Sequence, residues 1–329
     1  MLYSVIGTRP QYVKVKPVYD YCLKHGIPHT IVDTNQHYST GMSDGIIKSL
    51  GIENIFSLGV GNNKELPFMG SLINTLYEYF KDKRDAKMLV YGDTNSTFCA
   101  ALVGYKLGIP LGHVEAGARC FNKDLPEEIN RIFADAVSDF GFCFAEKDLY
   151  NIKNGILCGD IEYELLNNLN VPPPSLTGPV VLTVHRKENL TKTRISDILD
   201  FCARLECPIV WPIHHSVEKA DFFRELEVPK NVRVVPPYDY LKMVDALNSA
   251  RFIVSDSGGL LKTAPFFGKK ILILRNEVGR TEVIEHGYGK FAAFEDEDIE
   301  WALRLVEPDR SFFLYDTFPS QCIVETMNG

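Results

Sequence analysis

Short apolar runs alternate with longer amphipathic stretches from one end of this chain to the other. Runs of four to six apolar residues have strand length, and the stretches between them repeat their apolar residues at three and four, the helical spacing. Regular alternation of this kind leaves few folds open. It implies repeated β-α units and a mainly parallel sheet, because parallel strands need a crossover between them. Strands are expected at 2–6, 30–33, 87–91, 110–113 and 140–144, with helical patterns such as 65–80 and 96–107 between them. Near Asn170 the pattern stops at Val171-Pro172-Pro173-Pro174-Ser175-Leu176-Thr177-Gly178, a proline run that cannot continue a helix and makes a semi-rigid spacer. The alternation then restarts, with strands expected at 180–184, 209–212, 232–235, 252–255 and 271–274. A chain of 329 residues suits two cores better than one. The expected class is therefore α/β, two Rossmann-like domains at 1–170 and 171–329 facing a central cleft. Whether the last residues pack back on the first domain stays open.

Charge limits the partners. A net charge of −8 and a pI near 5.6 argue against a broad nucleic-acid surface. An anionic ligand needs its positive charge concentrated in one site. No stretch approaches the roughly 18 apolar residues of a membrane span, so a cytoplasmic protein is expected. The eight cysteines include no C-x-x-C pair, and several lie in apolar runs such as Gly141-Phe142-Cys143-Phe144; all are expected reduced and structural, with no metal site.

Four clusters carry chemistry. Gly7-Thr8-Arg9-Pro10-Gln11 follows the first strand, and Lys14 comes one helical turn later, so two cations and helix N–H groups are aimed at an anion. Asp93 ends one strand in Tyr91-Gly92-Asp93-Thr94-Asn95, and Glu115 ends the next in His113-Val114-Glu115-Ala116-Gly117. Glu127 opens a helix in Leu125-Pro126-Glu127-Glu128-Ile129-Asn130-Arg131. Three acids at successive sheet ends repel one another and raise each other's pKa values, which prepares acid and base roles. In the second half His185, followed by Arg186, ends the first strand, and His214 ends the next. Ser255-Asp256-Ser257-Gly258-Gly259 runs from strand into helix, with glycines that let backbone N–H groups approach phosphates, and Arg275 and Arg280 are placed to complete a diphosphate clamp.

In this order Arg9, the acids, His185, Ser257-Gly258-Gly259 and Arg280 resemble the non-hydrolysing UDP-N-acetylglucosamine 2-epimerases over nearly the whole chain. The resemblance implies two domains in the glycosyltransferase-B arrangement and an isomerase that needs no cofactor or metal. It implies Asp93, Glu115, Glu127 and His185 as the catalytic set. It places Arg9, Lys14, Arg131, His214, Ser257, Gly258, Gly259, Thr263 and Arg280 on the substrate, a UDP-2-acetamido sugar used for surface polysaccharide precursors, in a homodimer. Two positions depart from the family pattern. Thr263 stands where a glutamate grips the ribose, and Met243 stands where an aromatic often lines the uracil site. Pro10-Gln11, Asp93-Thr94-Asn95-Ser96-Thr97 and Phe121-Asn122 look like the branch that handles UDP-2,3-diacetamido-2,3-dideoxy-glucuronic acid, while Gln36 and His37 resemble part of the family's activating site. A hydrolysing epimerase, a glycosyltransferase of the same architecture and a non-catalytic sugar-nucleotide sensor stay as alternatives.

Overall fold

The structure is a computed structural model that describes residues 1–36, 42–61, 65–278 and 281–329. The chain divides into two compact units, Met1–Leu169 with Phe313–Gly329, and Asn170–Phe312. The first contains β1 (Leu2–Ile6), α1 (Arg9–Lys24), β2 (His29–Asp33), α2 (Met42–Ser49), β3 (Ile55–Ser57), α3 (Glu65–Phe80), β4 (Lys87–Tyr91), α4 (Asn95–Leu107), β5 (Leu111–Val114), α5 (Pro126–Val137), β6 (Phe140–Cys143), β7 (Gly155–Leu157) and α6 (Ile161–Asn168). Its strands form one parallel sheet in the order β3-β2-β1-β4-β5-β6-β7. Every residue of β1 is buried, as expected of a central strand covered on both faces. Val5, Val32, Met88 and Val90 from the sheet pack with Leu72, Leu76 and Ala100 from the helices.

The second unit contains β8 (Val180–Thr183), α7 (Lys192–Ala203), β9 (Ile209–Pro212), α8 (His215–Glu218), β10 (Val232–Val235), α9 (Tyr240–Ser249), β11 (Ile253–Ser255), α10 (Gly258–Thr263), β12 (Ile271–Ile273), α11 (Glu282–Glu285), β13 (Gly289–Phe291) and α12 (Asp296–Leu303). The sheet order is β10-β9-β8-β11-β12-β13, again parallel. Trp211, Leu182, Val254 and Phe252 centre its core; each such side chain contributes about 1.5–3 kcal/mol through burial. The strands that periodicity does not reveal are β3, β7 and β13. All three are three-residue strands at sheet edges, too short and too exposed to carry an apolar signature.

The proline spacer is not free. Ser175 N–H donates to the Asn248 carbonyl at 2.9 Å, and Gly178 N–H to Ser249 at 2.8 Å. The fully buried Lys269 ammonium holds the Ser175 carbonyl at 2.5 Å, and Arg310 donates to the Val171 and Pro172 carbonyls at 3.0 Å. These bonds make 171–178 part of the second unit.

The last helix, α13 (Pro319–Asn328), belongs to the first unit. It buries Ile323, Val324 and Met327, Tyr21 donates to Glu325 at 2.9 Å, and Ser320 donates to the buried Glu164. This return brings Cys322 to Cys158, with the Cα atoms 6.0 Å apart, and the two form a disulfide across 164 residues. The expectation that every cysteine is reduced fails for this pair, because only tertiary packing brings them together. Cys322→Ser is expected to lower unfolding free energy by about 2–4 kcal/mol in the oxidised protein. Urea denaturation with and without dithiothreitol checks this, since under reduction variant and parent should coincide closely.

Candidate functional site

In the first unit the chemistry collects at the ends of β1, β4 and β5. Gln11 bolts two of these ends together. Its Oε1 accepts from Gly7 N–H at 2.8 Å and Thr8 N–H at 3.0 Å, and its Nε2 donates to the Tyr91 carbonyl at 2.6 Å. The turn carrying Arg9 is thereby tied to the strand that leads to Asp93. Arg9 is half-buried, and that burial lowers its pKa. Gly92 turns the chain after β4 at φ +62°. A Cβ there would stand 3.2 Å from Glu115 Oε2, so glycine serves both the backbone and the close approach.

Asp93 follows, and its carboxylate is ion-paired with Arg131, whose neighbour Asn130 donates to the Asp93 carbonyl at 3.0 Å. Burial works against the Arg131 charge, but Asp93 and Glu128 outweigh it and raise the guanidinium pKa. Glu115 has φ +69°, a left-handed backbone that costs a non-glycine residue about 1–3 kcal/mol and clusters at functional sites. The Phe142 carbonyl holds it there by accepting from both Glu115 and Ala116 N–H groups at 3.1 and 3.2 Å. The Glu115 carboxylate is paired with Lys14. Lys14 is thus committed to an acid rather than aimed freely at an anion.

The two glutamates that open α5 separate. Glu127 is exposed, whereas Glu128 is 1% exposed and accepts from Cys120 N–H at 3.1 Å and Phe121 N–H at 2.9 Å. Burial would raise the Glu128 carboxyl, yet the Cys120 and Phe121 N–H groups with Arg131 hold it low. Phe121 itself sits at φ +58° with its ring exposed. Gln36 does not project outward; its Oε1 accepts from Ser96 N–H at 2.9 Å and Ser96 Oγ at 2.7 Å. His37 lies outside the described residues.

The second unit gathers its polar groups around Asp256, which is wholly buried after β11. Its carboxylate accepts from the N–H groups of His185 at 3.0 Å and Arg186 at 2.9 Å, and from Asn189 Nδ2 at 3.0 Å. His185 Nδ1 lies 2.7 Å from it. Burial would push the Asp256 carboxyl up, but His185, Arg186 and Asn189 outweigh it and hold the pKa at about 2. His185 is thereby oriented by Nδ1, with its ring centroid 5.6 Å from that of His214. His214 Nδ1 accepts from Ser216 N–H at 3.2 Å. Ser257 caps α10 by accepting from Leu260 N–H, and its own N–H donates to Ser255 Oγ at 2.9 Å. A Cβ on Gly258 would meet Arg275 Nη1 at 3.8 Å. Burial and the nearby Arg186 charge lower the Arg275 pKa, so positive charge accumulates beside Ser257-Gly258-Gly259. Arg280 lies outside the described residues.

Thr263 is buried, and its hydroxyl donates back to the Gly259 carbonyl at 3.1 Å. That hydrogen is spent on its own helix, which leaves the hydroxyl its acceptor capacity alone. Met243 packs against Val181, Val210 and Ala250.

Two units of this kind, with acids at the sheet end of one and a glycine-cation turn in the other, admit a direct comparison with known proteins. The sequence profile described as UDP-N-acetylglucosamine 2-epimerase matches residues 22–156 and 165–313. The chain belongs to the UDP-N-acetylglucosamine 2-epimerase family. This epimerase is 31% identical over 323 residues to a UDP-N-acetylglucosamine 2-epimerase homolog of Methanococcus maripaludis, covering 90% of this chain and 89% of that one. It is also 31% identical over 305 residues to the UDP-2,3-diacetamido-2,3-dideoxy-D-glucuronate 2-epimerase of Pseudomonas aeruginosa, with 86% of each covered. The crystal structure of the Methanocaldococcus jannaschii UDP-GlcNAc 2-epimerase, in complex with UDP-GlcNAc and UDP, matches with a TM-score of 0.86 at 26% identity, covering 100% and 99%. Acinetobacter baumannii MurG, at 13% identity and a TM-score of 0.56, shares the glycosyltransferase-B class of fold alone. As a family member the chain is an isomerase, and no helix of the described residues is long and apolar enough to cross a membrane.

Sequence reasoning quoted Asp256, Glu128 and His113 within motifs but gave none of them a role. Each is buried, and burial of a charged group beside an obvious site residue is not visible in one dimension.

Proposed function

We propose that the protein inverts C2 of a UDP-2-acetamido sugar by eliminating UDP and adding it back, as a step in surface polysaccharide precursor synthesis. The observation that carries this reading is the pair Asp93 and Glu115 at adjacent strand ends, each matched to a cation and one of them in a left-handed backbone. The C2 hydrogen of such a sugar is not acidic. One carboxylate removes it while the C1–O bond to UDP breaks, the C2–H electrons become the C1=C2 bond, and UDP leaves with the oxygen electrons. Return of a proton to the opposite face of C2 and attack of the phosphate oxygen on C1 restore a UDP-sugar. Such a step needs a base, an acid and cations on the departing diphosphate. Asp93, Glu115 and Glu127 supply the acid and base, with His185 as their partner near the diphosphate. Ser257, Gly258, Gly259, Arg9, Arg131 and Arg280 receive the phosphates.

The relatives named above act on UDP-GlcNAc and on the diacetamido uronate, so both are proposed substrates, with His214 beside them. Thr263 stays on the substrate-facing helix but leaves the ribose grip weaker than a glutamate would. A cytoplasmic homodimer completes the proposal, and sedimentation velocity tests its size. In deuterated water, deuterium should enter C2 of recovered UDP-GlcNAc or of UDP-2,3-diacetamido-2,3-dideoxy-glucuronic acid. Free sugar would instead mark hydrolysis, and no exchange with either substrate would overturn the reading.

A further inference from the structure

We infer that His113, with Asp135 and Arg119, is a positioning residue of the epimerisation site, a buried ring that locks the Asp93 turn to the Glu115 turn. The inference rests on the proposed function for its kinetic consequence and on geometry for the rest. His113 is wholly buried at the end of β5. Its Nε2 lies 2.7 Å from the Gly92 carbonyl oxygen, and its Nδ1 lies 2.6 Å from Asp135 Oδ1. A carbonyl oxygen can only accept, so Nε2 carries a hydrogen.

The other nitrogen faces Asp135. Asp135 Oδ2 is paired with Arg119 Nη1 at 2.6 Å and accepts from Gly117 N–H at 3.1 Å. Burial would raise this carboxyl, but His113 and Arg119 outweigh it and lower its pKa. The ring is held at both nitrogens, between a carboxylate that Arg119 pairs and a backbone carbonyl.

The consequence is positional. Gly92 N–H donates to the Val114 carbonyl at 2.9 Å while the Gly92 carbonyl accepts from His113. Both peptide groups of the residue before Asp93 are therefore fixed to the two residues before Glu115. On the far side, Asp135 grips Gly117, whose φ of +76° and close contact with the Asp148 carbonyl leave no room for a Cβ. Glu115 is held in its left-handed conformation between two anchored residues. Displacing a reacting group by about 1 Å costs on the order of 100-fold in rate, so a lock on this spacing acts on turnover rather than on binding.

Two variants separate the ring's contacts. In His113→Asn the amide reaches Asp135 but not the Gly92 carbonyl, and in His113→Gln it reaches Gly92 but not Asp135. The expected result is a kcat about 10–100-fold lower for His113→Asn, with KM and UDP affinity within twofold of the parent. His113→Gln should recover part of that loss. A kcat within twofold in folded His113→Asn would overturn the inference. So would equal losses in both variants that track a fall in Tm, since that pattern is structural only. Long-range proton–nitrogen spectra of 15N-histidine-labelled protein give a readout that needs no turnover. His113 Nε2 should resonate as protonated, and a bare Nε2 would overturn the inference. Absence of C2 exchange in the parent protein counts against the proposed function, and the ring spectrum still decides the Nε2–Gly92 hydrogen bond on which the lock depends.

Discussion

Asp93→Asn and Glu115→Gln are each expected to lower kcat by about 10²–10⁴-fold, the range typical of a lost general acid or base. That corresponds to roughly 3–5 kcal/mol of transition-state stabilisation. UDP affinity should change by less than about threefold, because these acids belong to the first unit and the glycine-cation turn to the second. The substitutions are isosteric and open no cavity. They remove the charge that Arg131 and Lys14 answer, so a modest loss of stability accompanies them. Glu127→Gln is the discriminating third variant, since Glu127 is exposed while Glu128 is bound into the structure. A loss on the order of 100-fold there places chemistry on an exposed acid. Exchange of C2 deuterium measured with each purified variant checks the set, and near-normal rates in all three would make the acids structural.

Asp256→Ala is expected to be the most damaging single change in the second unit, costing about 3–5 kcal/mol, because it strands His185 and two backbone N–H groups beside a buried gap. UDP binding should weaken with it, since Asp256 orients His185 and Arg186 at the end of β8. The same carboxylate sets an acid limit. Its pKa falls from the model-peptide value of 3.8 to about 2 in the folded protein, which corresponds to roughly 2.5 kcal/mol at neutral pH. A depressed carboxylate stabilises the fold fully above its unfolded pKa, and the contribution disappears as pH falls through about 2. Unfolding free energy measured between pH 6 and pH 2 should show this loss in the parent and lack it in Asp256→Asn. Parallel slopes for the two proteins would mean that another acid governs the transition.

The alternation of apolar runs and amphipathic stretches determined the two parallel α/β units, because strand and helix periodicities survive in one dimension wherever a segment is long and covered on both faces. It also placed Asp93, Glu115, His185 and Ser257-Gly258-Gly259 at strand ends, where such sheets present their ligand groups. Tertiary structure alone decided which neighbour each charge meets. Lys14 turns to Glu115, Glu128 and not Glu127 goes inside, and Thr263 spends its hydroxyl on its own helix. It decided that the proline run docks on the second unit and that α13 returns to the first, which joins Cys158 to Cys322. The physical reason is the same throughout. Periodicity reports whether a residue faces a core, whereas pairing, capping and protonation depend on groups tens to hundreds of residues away that only the folded sheet brings within hydrogen-bond reach.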